Sequence, residues 1–105
     1  MSEVTVLLQE ARQGNAEAIA QVFEAIYPEL KRIARYRLAR DDGGTHLNTT
    51  ALVNECYLKF VGAERLSPQD RPHFLAYASV AMRSIVVDAA RARLAERRGG
   101  WEQAG

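Results

Sequence analysis

An all-α fold, a compact bundle of about four helices, is what this sequence predicts, and three observations carry the prediction. Apolar residues recur at three- and four-residue spacing through the long segments, as amphipathic helices require. No stretch alternates with period two between turn residues, so no strand is expected. Capping residues and glycines stand where the periodic segments begin and end. At 105 residues, 48% hydrophobic and 26% charged, the chain is one globular domain with a thin core.

The elements follow in order. Ser2 is the expected cap of a short first helix with Val4, Leu7, Leu8 and Ala11 facing inward, and Gly14 ends it. Asn15 starts a second helix running to about Arg40, with the apolar stripe Ile19, Val22, Phe23, Ile26, Leu30, Ile33. Pro28 falls inside that stripe, which continues beyond it, so a kink is expected rather than a stop. The glycines of 41–46 mark a loop. A third helix over about 48–62 buries Leu52, Val53, Cys56, Tyr57 and Phe60 and ends at Gly62. After a polar loop, Pro72 suits the first position of a fourth helix reaching about Arg97. The closing "GGWEQAG" reads as the beginning of a linker, which makes 1–98 the domain and 99–105 the linker's start.

The fourth helix carries the most information about function. At 100° per residue, Phe74, Ala78, Ala81, Ile85, Ala89 and Ala92 share one side. About 100° further round lie His73, Tyr77, Val80, Ser84, Asp88, Arg91 and Arg98. Aromatic groups interleaved with hydrogen-bonding and cationic ones suit unstacked bases and phosphates. Over 89–98, four arginines (Arg91, Arg93, Arg97, Arg98) face one acid, Glu96, which points to a polyanion although the whole chain carries only +1. The plainer alternative makes Tyr77 half-core and the arginines solvated, and turns the chain into a helical protein-interaction adaptor without DNA binding.

Other classes fit poorly. No run of about 18 apolar residues crosses a membrane, and the acidic, amphipathic N-terminus lacks a signal peptide's basic start. The lone Cys56 allows no intramolecular disulfide and fits a reducing, cytoplasmic setting. Cys56 lies on a buried stripe, and His46 and His73 have no spaced partner, so neither a thiol nucleophile nor a zinc site is expected. No glycine-rich phosphate loop follows a strand. An enzyme is the weakest reading, and no cofactor is implied.

Three segments together resemble a known family. "VFEAIYPELKRIARYRL", "TALVNECYLKF" and "HFLAYASVAMRSIVVDAARAR" are similar to the three helices of region 2 in extracytoplasmic-function (ECF) sigma factors, over about residues 10–98. The resemblance implies two partners. The third helix would bind the clamp helices of the largest subunit of RNA polymerase core through Asn48, Thr49, Thr50, Ala51, Glu55, Leu58 and Lys59. Promoter −10 DNA would be read and melted by loop 63–71 and by Arg71, His73, Tyr77, Arg83, Ser84, Asp88, Arg91, Arg93, Arg97 and Arg98. It also implies a second, helix-turn-helix domain for the −35 element, absent from this chain.

Two departures stand out. Where relatives often carry Arg-Asn on the fourth helix, this chain has Arg83-Ser84. Where many begin the third helix with acids, it has Asn48-Thr49-Thr50-Ala51, although a helix N-terminus favours Asp or Glu. One of these polar residues serves as a cap, and that leaves a hydroxyl unaccounted for. Chains lacking the acids resemble a subgroup associated with Ser/Thr kinases, which implies phosphorylation of Thr50 or Thr49 as an activating charge.

Overall fold

The computed structural model describes residues 2–41, 45–63 and 67–104, with side chains to Arg98. Five helices and no strands occur among the described residues: α1 (Glu3–Arg12), α2 (Ala16–Ala25), α3 (Tyr27–Ala39), α4 (Thr49–Val61) and α5 (Arg71–Ala104).

Local chemistry sets most boundaries. The Ser2 hydroxyl accepts from the Thr5 N–H at 3.2 Å, and the Asn15 side chain accepts from that of Glu17 at 3.1 Å. Gly14 turns the chain between them at φ +101°, a left-handed conformation that glycine adopts without steric cost.

The expected second helix is two helices. The chain leaves helical geometry at Ile26 (φ −117°, ψ 23°), the shared boundary of α2 and α3. Pro28 explains the break: it has no N–H to give the Glu24 carbonyl, and its ring crowds that oxygen. Hydrogen bonds from Ile26 to Val22 and from Leu30 to Ile26 flank the joint, and the apolar stripe passes through it with Ile26 and Leu30 fully buried.

The expected fourth helix also needs correcting. Asp70 caps α5 by accepting from the His73 N–H at 2.9 Å, so Arg71 is the first helical residue and Pro72 the second. The helix continues past Arg97 to Ala104. At 1.5 Å per residue its 34 residues extend about 51 Å in a molecule 60 Å long.

The core lies where α2, α3, α4 and α5 meet, with α1 packed on α2. Of the stripes read from sequence, Val4, Leu7, Leu8, Ile19, Val22, Phe23, Leu52, Val53, Cys56, Phe60, Phe74 and Ala78 are buried. Along α5 the buried line then runs through Ala81, Met82 and Val86. Ile85 and Ala89 are half-buried and Ala92 is exposed. The stripe fades there because α5 outruns the globule.

Phe60 and Phe23 organise the centre. Phe23 meets Tyr57, Phe60 and Phe74 edge-on at 5.3, 5.6 and 5.8 Å between ring centroids, and Phe60 meets Phe74 at 5.4 Å. Such pairs contribute about 0.5–1.5 kcal/mol each beyond the area they bury.

Candidate functional site

Two surfaces present the residues singled out from sequence. The first is the outward side of α4. Asn48 is the cap: its side-chain oxygen accepts from the Ala51 N–H at 2.8 Å. Neither threonine is needed for capping, and neither hydroxyl makes a hydrogen bond among the described residues. Thr49 and Ala51 are half-buried, while Thr50, Glu55, Leu58 and Lys59 are exposed. Leu58, 54% exposed, and Val61 at 42% give this face an apolar end. The first turn holds no acid.

Thr50 also edges a groove of about 420 Å³ lined by Phe23, Glu24, Tyr27, Val53, Asn54 and Tyr57. Tyr27 comes from α3, so periodicity within one helix could not have found it. On the inner side of α4, burial pushes the Cys56 thiol up from 9.0 to about 12, with Lys59 pulling weakly the other way. A thiol held protonated in this way is no nucleophile at neutral pH.

The second surface is α5. His73, Asp88, Arg91 and Arg98 are exposed, and Tyr77 and Ser84 are half-buried. The Tyr77 ring rests on Phe60 at 5.0 Å, so its apolar body is held by the core. Val80, between Tyr77 and Ser84 on this line, is 67% exposed.

The arginines do not share one direction. Arg83 and Arg91 line a cleft of about 450 Å³ with Arg37, Arg40 and Asp41 at the end of α3. Arg93, half-buried, lines another of about 330 Å³ with Thr45, His46 and Leu47, ahead of α4. Arg97 and Arg98 stand exposed beyond the globule. Arg71 forms an ion pair with Glu29 of α3, which offsets part of the charge expected to face DNA. Of loop 63–71, residues 64–66 lie outside the described residues.

Two tethers escaped the sequence reading. Arg37 donates from Nε to the Ser79 carbonyl at 3.1 Å and from Nη2 to the Ser79 hydroxyl at 2.9 Å, tying α3 to α5. Arg12 donates from Nη1 to the Pro68 carbonyl at 2.9 Å, reaching from α1 to the segment ahead of α5. Contacts spanning 42 and 56 positions leave no periodic trace.

A nearly acid-free helix face and a long helix rich in arginine thus share a single core. The family model for ECF sigma factors matches residues 1–104, and the chain belongs to that family. No curated protein and no solved structure matches it. Its role is that of a sigma factor in transcription initiation, acting with RNA polymerase core on promoter DNA. No helix among the described residues is long and apolar enough to cross a membrane.

Proposed function

We propose that α4 docks on the clamp helices of the polymerase largest subunit, that α5 and the segment ahead of it capture and melt the −10 element, and that phosphorylation of Thr50 switches docking on. One observation carries the switch. Asn48 already caps α4, which leaves Thr50 exposed, unbonded and at the helix N-terminus, on a turn without acids. A phosphate there would add about −1.5 to −2 charges, where the helix dipole and free amides stabilise an anion. It could make one to three charge-assisted hydrogen bonds to arginines of the polymerase. Unmodified, the face offers Glu55 opposed by Lys59, a weak lure for a cationic partner. Thr49, half-buried, is the poorer kinase substrate of the two.

On the DNA side, flipping a base costs a few kcal/mol, and stacking at about 1–3 kcal/mol per base offsets it. His73 and Tyr77 supply the stacking groups, and the α5 arginines neutralise phosphates. Polymerase binding and transcription should be compared for the unmodified factor, for Thr50→Ala and Thr49→Ala, and for each after treatment with a Ser/Thr kinase. Kinase treatment is expected to strengthen docking of the wild type and of Thr49→Ala but not of Thr50→Ala. Equal docking by unmodified and treated wild type would refute the switch. Charge reversal at the exposed Arg91 and Arg98 should lower open-complex formation and leave polymerase binding intact; unchanged opening would refute the DNA assignment.

A further inference from the structure

We infer that Arg12 of α1 is a positioning residue for promoter opening: by holding the Pro68 carbonyl it fixes the segment that leads into α5 and, through it, the first turns that carry His73 and Tyr77. The inference rests on the promoter reading above and adds a residue that lies outside both proposed surfaces. Arg12 sits in the last turn of α1, where a cation opposite the helix dipole needs no further explanation. Its guanidinium nonetheless bridges to Pro68, a residue buried completely although it belongs to a connecting segment.

Three polar contacts fall within four residues there. Arg12 holds Pro68, Asp70 caps α5 through the His73 N–H, and Arg71 pairs with Glu29 of α3. His73 and Tyr77 follow at once. Phe74, edge-on to Phe23 and Phe60, and Ser79, bonded to Arg37, hold α5 further along. Hydrogen bonds are directional, so those made in the segment ahead of the helix set how its first turn is presented. Arg12 is the anchor that comes from the far side of the fold.

The test uses holoenzyme assembled on core polymerase from kinase-treated factor at saturating concentration, with promoters selected by the wild type from duplexes randomised across the −10 region. Arg12→Ala should bind polymerase within about twofold of wild type yet open the selected duplexes at least about tenfold less, as read by permanganate reactivity of unpaired thymines. On the same promoters carrying a pre-opened −10 bubble, the defect should shrink to about threefold or less. Arg12→Lys, which keeps a donor of similar reach, should recover part of the opening. Opening by Arg12→Ala within twofold of wild type overturns the inference. So does a parallel loss of polymerase binding, which would make Arg12 a general prop of the fold. If the wild type selects no −10 sequence, the promoter reading itself fails and the inference falls with it.

Discussion

Helices α4 and α5 share one core and differ in almost everything they show to solvent. α4 has 13 residues, is buried along one side, and opens on a first turn without acids. α5 has 34 residues, is buried along its first half, and carries an excess of arginine beyond it. On the function proposed above, the contrast is a division of labour. DNA is always an anion, so a helix that reads it can hold permanent positive charge. A docking helix whose partner is cationic can instead leave its charge to be added, and binding then becomes conditional. Each helix can be perturbed separately from the other, except in the core they share.

Phe60 lies in that shared core, and it gives the largest expected effect. It lies on α4, meets Phe74 and Tyr77 of α5, and is 2% exposed. Phe60→Ala should cost about 3–5 kcal/mol in denaturant unfolding, because a cavity opens where four rings converge. Both surfaces should fail together. A loss below about 1 kcal/mol would mean that the two helices do not depend on a common centre.

Cys56 tests the buried side of α4 alone. Its thiol ordinarily titrates at 9.0 and is pushed up to about 12 in the folded chain by burial. The unfolded chain therefore loses this proton first as pH rises. The sign follows: the contribution is fully present below pH 9 and is lost on the way to pH 12, at no more than about 1.4 kcal/mol per pH unit. Subtracting the stability of Cys56→Ala from that of wild type removes the other alkaline titrations. The difference should be constant below pH 9 and fall above it. A difference flat to pH 11 would mean that the thiol is open to water.

Much of this contrast was legible in the sequence, and what was not has physical reasons. The apolar stripes located the core because helical periodicity reports burial directly. Ser2 and Asn15 were readable as caps because a cap acts within three residues. Asp70 was passed over in favour of Pro72, since both are good helix-start signals and lie two positions apart. Pro28 announced a disturbance, but whether the chain bends or breaks depends on how the joint packs, and Ile26 is buried there against distant residues. The same limit hid Arg12–Pro68, Arg37–Ser79 and the cleft that gathers Arg83 and Arg91 with Arg37 and Arg40. One-helix geometry cannot place an arginine against another helix. The end of α5 differs from its sequence pattern for a simpler reason: Gly99 and Gly100 usually mark an exit, yet this helix runs through them.

A smaller effect separates the two beginnings. Asn48→Ala removes the cap of α4 and should cost about 1 kcal/mol. Asp70→Ala should cost α5 a similar amount, so the two helices, unlike in surface, are alike in how they start. If Asn48→Ala proves neutral, a threonine hydroxyl has taken over the cap, and Thr50 is no longer spare.

The smallest expected effect decides most about α4. Thr50→Ala in the unmodified chain should change stability by less than about 0.5 kcal/mol, because the side chain is exposed, bonds to nothing and does not cap. Alanine is also the better helix former, which works against any loss. A residue that contributes nothing to folding, exposed on the proposed docking turn, has no role, a direct contact with the partner, or one that appears after modification. The last is separable from the other two in one experiment, since Thr50→Ala leaves the fold as a control for itself. Unfolding midpoints should coincide for wild type and Thr50→Ala before kinase treatment. After treatment, only the wild type should gain affinity for polymerase. A destabilisation of about 1 kcal/mol or more would assign Thr50 to the cap, and the bare first turn of α4 would then need no added charge to explain it.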